Sequence, residues 1–180
     1  VGAQLDLFDQ VATLARKMPE SLFTDPDDDW TPVAFLEGPQ GIAQMPLEPF
    51  MEDDQTKDIL ADTILPQLIT ETKTTRVIMV LSVWTSATSA SLLHETGKYV
   101  PPSQHDDRRE AVYLIEYTRD GVQRQTHADI IRHETKPPSL GEWSQIEKVT
   151  SFEGRFVGPI VAALKRVRQE GGERDDQSPW

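Results

Sequence analysis

The stretch Val77-Ile78-Met79-Val80-Leu81-Ser82-Val83-Trp84 decides the fold. With the two-residue period of an extended chain, Val77, Met79, Leu81 and Val83 share one face, and Ile78, Val80 and Trp84 share the other. A strand that is apolar on both faces has to be covered on both, at least in part, so this is a central strand. Ala111 to Thr118 reads as a second strand of the same kind. Asp120-Gly121 after it is a hairpin signal, and Val122 to Ile131 returns as a more polar strand nearer an edge.

Working outward toward the N-terminus, Asp53 to Thr72 reads as a helix, with Ile59, Leu60, Ile64, Leu65, Leu68 and Ile69 on a broad apolar arc. Pro66 sits inside it. An interior proline removes a backbone bond and crowds the carbonyl four residues back, so a kink or break is expected near Leu65. Val33–Leu36 and Ile42–Met45, about Gly38-Pro39-Gln40-Gly41, read as a hairpin. Gln4 to Met18 is a helix that Pro19 should stop. On the C-terminal side, Phe152 to Arg168 is a helix with Val157, Ile160, Val161 and Leu164 as its buried stripe. Two stretches carry no period and read as irregular: Ser89 to Arg109, and Lys136 to Trp143. The expected fold is therefore α+β in the order α-β-β-α-β-β-β-α, a largely antiparallel sheet of about five strands packed with three helices. It should form one domain over residues 1–169 with a polar tail at 170–180.

Composition narrows the function. The 180 residues contain no cysteine, which removes disulfides, thiolate zinc sites, iron–sulfur clusters and cysteine nucleophiles together. Net charge is −12, and residues 1–60 hold 13 acids against 3 bases. Phosphate binding needs a basic stripe, so direct nucleic-acid contact is not expected. The longest apolar run falls well short of the ~20 residues a bilayer span requires, and no leader is visible, so the expectation is a soluble, cytoplasmic chain without a membrane role. Patterns for phosphate loops, dinucleotide folds, zinc-protease helices and nucleophile elbows are all absent from the sequence.

Chemistry-bearing side chains gather most densely in and after the first irregular stretch: His94, Glu95, His105, Asp106, Asp107, Arg108, Arg109 and Glu110. Imidazole with neighbouring carboxylates is a ligand set for a divalent metal, with His94, His105, Asp106 and Asp107 as the candidates. A solvated charged loop accounts for the same residues without a metal, and no cofactor is otherwise expected. A second constellation is a ligand groove walled by Trp84, Tyr99, Arg108, Arg109, Tyr113, His127 and Trp143. On the strand that carries His127, Gln123, Gln125, Asp129 and Ile131 share its face.

Trp84, the polar stretch Pro101-Pro102-Ser103-Gln104-His105-Asp106-Asp107-Arg108-Arg109-Glu110, the apolar strand after it and Gly141-Glu142-Trp143 resemble a loose group of uncharacterised bacterial and phage proteins. The resemblance covers roughly residues 55–160. It implies the order helix, central strand, loop; the group carries no assigned activity, so the resemblance implies nothing about function. The sequence thus points first to a non-catalytic binding or regulatory domain acting through protein contacts or as a homo-oligomer. Two other readings stand beside it. One is a metal-dependent hydrolase in which Glu110 is the base and Arg108 or Arg109 clamps an anionic substrate. The other is an acidic nucleic-acid mimic that uses Asp27–Asp29 and Glu52–Asp54 against a basic enzyme.

Overall fold

A computed structural model describes residues 5–147 and 155–172. The elements run α1 (Leu7–Ser21), β1 (Val33–Gly38), β2 (Gly41–Pro46), α2 (Asp54–Ile59), α3 (Leu65–Glu71), β3 (Arg76–Thr85), α4 (Ala87–Thr96), β4 (Arg109–Thr118), β5 (Gly121–Ile131), β6 (Ser139–Leu140) and α5 (Val157–Gly172). The strands form one antiparallel sheet in the order β2-β1-β3-β4-β5-β6, so the class is α+β as the hydrophobic periods imply. The sheet has a sixth strand. Ser139 pairs with Ile131 and Leu140 with Ile130, a two-residue strand too short to leave a period in the sequence. No helix among the described residues is long and apolar enough to cross a membrane.

The chain clusters into two compact units. The first comprises the described residues within 1–31, 80–114 and 126–145. In it α1 buries Leu7, Phe8, Val11 and Ala15. Pro19 lies inside α1, not after it, and the helix runs on to Ser21. Proline has no N–H to give the carbonyl four residues back, which here is that of Ala15. The fully buried Trp30 supplies the missing donor: its Nε1 bonds the Ala15 oxygen at 2.7 Å. The Trp30 ring meets Phe23 edge-on at 4.9 Å. From the same helix Arg16 donates to the carbonyls of Leu140 at 3.2 Å and Gly141 at 2.6 Å, tying α1 to the end of β6.

The second unit comprises the described residues within 32–79, 115–125 and 146–180. Its β1–β2 hairpin pairs Gly38 with Gly41 around a two-residue turn, and Gly41 has φ +115°, a conformation that glycine adopts without strain. β1 is buried over Val33–Leu36, while β2 is exposed along almost its whole length. Asp53 opens α2 with a capping box, accepting from the Thr56 amide at 2.7 Å. The expected disturbance at Pro66 takes the form of a π turn over Leu60–Ile64, in which the Leu65 N–H reaches back five residues to Leu60. The wider turn makes room for the proline ring, and the α-helix resumes at Leu65. Leu60, Leu65 and Ile69 are fully buried, and α5 packs against α3 with Ile160, Ala163 and Leu164 inward. The expected start of the last helix at residues 152–154, and the tail beyond Gly172, lie outside the described residues. Residues 170–172, placed in that tail by composition, continue α5.

Candidate functional site

The segment read as one long loop contains a helix. Ser86 caps α4 by accepting from the Ser89 amide, and Gly97 closes it in the left-handed region at φ +68°. Asp107 returns to the start of this helix. It accepts from the Ser86 hydroxyl, from the Thr88 amide at 3.0 Å and from the Thr88 hydroxyl at 3.1 Å. Those bonds, the Ser86 hydroxyl foremost and then the Thr88 amide, outweigh desolvation and hold its carboxyl at a pKa of about 2. Asp107 is thus an anion seated on a helix N-terminus.

His94 lies in the last turn of α4 and is exposed. Six helical steps separate it from Thr88, about 9 Å along the axis. His105 follows the single turn Pro102–Gln104, its Nε2 buried without a partner, and Asp106 is exposed. Among the described residues no three His, Asp or Glu side chains form a group that would hold a metal ion. The ligand set His94, His105, Asp106 and Asp107 is therefore not assembled, because the helix carries His94 away from the end that Asp107 caps. Glu110, the base of the hydrolase reading, is bound to Arg132 at 2.8 and 3.2 Å. Arg132 also donates to the Asp28 carbonyl at 2.7 Å, and its pKa is raised by Glu110 first and then by the charges of Asp29 and Asp27.

The groove residues divide into pairs. Arg108 lies over the Trp84 ring at 5.7 Å, and Arg16 over Trp143 at 5.7 Å. Tyr113 stacks on His127 with ring centres 5.0 Å apart, and Arg109 approaches Asp129 at 3.8 Å. Tyr99 stands out, exposed at 66%. A small cavity of about 360 Å³ brings Asp107, Arg109 and His127 together with Ser86 and Asp129. Trp84, Tyr99, Arg108, Tyr113 and Trp143 do not line it. The acids of the mimic reading are in part used internally: Asp28 accepts from the Thr24 and Asp25 amides, Asp29 from Ser82, and Asp53 caps α2.

A larger concavity, about 840 Å³, lies wholly in the second unit and was not marked by any sequence motif. Lys73, Arg76, Arg119 and Arg124 line it, with Glu116 and Asp120 as its only acids among the described residues. Three of these residues belong to a ladder of alternating charge across four adjacent strands, with Glu37 on β1 beside the cleft, then Arg76 on β3, Glu116 on β4 and Arg124 on β5. Arg76 bonds Glu37 at 2.7 Å and approaches Glu116 at 3.4 Å. Arg124 grips Glu116 with two nitrogens, Nε at 3.0 Å and Nη2 closer still. Glu116 is buried, 5% exposed at its side chain, and the two guanidinium groups supply the donors its oxygens need there. The sequence did hold one signal for this site: a lone glutamate in the apolar run Leu114-Ile115-Glu116-Tyr117 needs a buried cationic partner.

Lys73 at the cleft has an unusual backbone. Lys73 N–H bonds the Thr70 carbonyl at 3.3 Å and Thr74 N–H bonds that of Ile69 at 3.0 Å, which is the Schellman closure of α3. The residue at its left-handed position is normally glycine, and Lys73 occupies it at φ 51°, at a cost of about 1 kcal/mol. No family model, curated protein or solved structure matches this chain.

Proposed function

We propose that this chain is a non-catalytic binding domain acting through protein contacts, and that it takes an extended basic segment of a partner along the free edge of β2. The observation that carries this reading is the character of that edge. β2 is the end strand of the sheet, exposed at Gly41–Gln44 and at Pro46. Proteins normally guard such edges with charges, central prolines or bulges, because unpaired backbone groups recruit another strand. Gly41-Ile42-Ala43-Gln44-Met45 has no charge and no proline, and its pairing with β1 runs without a bulge. In a two-residue hairpin the closing pair, here Gly38 with Gly41, exchanges both backbone bonds, and bonded and non-bonded pairs then alternate. Ile42 and Gln44 therefore point their N–H and C=O groups away from β1, ready for strand addition.

Charge selects the partner. The strand leads into Glu48, Glu52, Asp53 and Asp54, within a first third of the chain whose net charge is −10. A second copy would bring the same sign of charge, whereas a segment rich in Lys or Arg would be attracted.

Fluorescence anisotropy of a labelled six-residue peptide alternating Lys and Val tests this, with an Asp–Val peptide as the control. The Lys peptide should bind, more weakly as salt rises, and Gln44→Pro should abolish binding without lowering the melting temperature by more than a few degrees. Equal binding of both peptides, or binding unaffected by Gln44→Pro, would refute the proposal. Self-association abolished by Gln44→Pro would assign the edge to a second copy instead.

A further inference from the structure

The geometry points to a second, separate site: we propose that the cleft of Lys73, Arg76, Arg119 and Arg124 binds a small organic anion, a phosphate or carboxylate group attached to an apolar body. Its volume, about 840 Å³, falls in the range of small-molecule sites, and all its lining comes from one unit. Four cationic residues and two acids line it, with a third acid, Glu37, paired to Arg76 beside it, in a chain whose overall charge is −12. An electropositive concavity on an acidic protein is a local arrangement that the overall composition opposes.

The charges divide into two roles. Arg76 is held by Glu37 at 2.7 Å and by Glu116 at 3.4 Å, and Arg124 by Glu116, so both present oriented guanidinium groups at little further entropic cost. Lys73 makes no ion pair or side-chain hydrogen bond among the described residues, and Arg119 has only a loose 3.6 Å contact with Asp120. These two cations are available to an incoming anion. Pro39, Leu164 and Val167 add an apolar wall, which is what an inorganic ion would not need and an organic one would use. The backbone of Lys73 is a second, independent observation. Glycine would close α3 without strain, yet a lysine stands at φ 51° at the cleft.

That strain supplies a test in which loss of binding and loss of folding move in opposite directions. Isothermal titration calorimetry with phenyl phosphate, benzoate and inorganic phosphate, at low and at 0.3 M salt, should show one-to-one binding of at least one aromatic anion. It should bind at least tenfold tighter than inorganic phosphate and weaken with salt. Whichever of phenyl phosphate and benzoate binds tighter identifies the headgroup. Lys73→Gly should raise the melting temperature and weaken the aromatic anion at least tenfold, and Arg119→Ala should weaken it severalfold. No heat with any of the three anions would overturn the proposal, as would unchanged affinity in Lys73→Gly. Inorganic phosphate binding as tightly as phenyl phosphate would overturn the organic class. Gln44→Pro, which blocks the β2 edge, should leave this binding intact, so the two proposals fail separately.

Discussion

At the scale of single residues, two side chains far apart in sequence settle how α1 and α4 are built. Pro19 leaves the Ala15 carbonyl without a helical donor, and Trp30 provides one from fifteen residues away. Replacing Trp30 by Phe keeps most of the buried ring but orphans that carbonyl, so chemical denaturation should show a loss of about 1–3 kcal/mol. Restoring the backbone donor with Pro19→Ala should recover much of it in the double variant. Asp107 gives a pH signature. Its carboxyl is held at about 2 in the folded chain against an ordinary 3.8, so the unfolded chain binds more protons between those values. Its contribution to stability is therefore complete above about pH 4 and is lost as pH falls toward 2. Asp107→Asn should flatten that part of the stability profile and lower the melting temperature at neutral pH. Neither role was legible beforehand. The proline rule is local, whereas its remedy is tertiary, and an aspartate after a histidine reads equally well as a metal ligand.

Among the elements, legibility followed the strength of the hydrophobic period. β3, β4 and the β4–β5 hairpin stood out because Val77–Val80 and Ala111–Tyr117 are almost continuously apolar, and Gly121 has the φ of +112° that its turn requires. α4 was missed because Ala87-Thr88-Ser89-Ala90-Ser91 carries no apolar stripe, and Ser89 is its only buried residue. Its end signals were present all the same, Ser86 as a cap and Gly97 as a stop. The join between the β1–β2 hairpin and the end of α3 is close. A Cβ added at Gly38 would stand 2.8 Å from the Thr72 carbonyl oxygen and 3.3 Å from that of Lys73. Both are backbone atoms that cannot swing away, so Gly38→Ala should destabilise the protein by about 1–3 kcal/mol. Because the same contact flanks the cleft, the variant should also weaken anion binding.

For the whole molecule, the fold class was readable and the larger site was not. Hairpins and amphipathic helices declare themselves locally, whereas the cleft takes residues from four separated segments, near 39, 73–76, 116–124 and 164–167. Only Glu116, a charge within an apolar strand, hinted that something had to converge on it. The ladder it anchors runs across four strands, so its loss should be felt globally. Arg124→Ala leaves a buried carboxylate with the more distant Arg76 alone and should cost about 3 kcal/mol in urea denaturation. Glu37→Ala, which strips a more exposed partner, should cost less.

The central claim is that the outer edge of β2 accepts a basic strand, and backbone amide resonances test it most directly. On titration with the Lys–Val peptide, the amides of Ile42 and Gln44 should shift most and become protected from hydrogen exchange. Those of Gly41, Ala43 and Met45, already turned toward β1, should change little in protection. Saturating peptide that leaves the Ile42 and Gln44 amides exchanging as in the free protein would contradict the account.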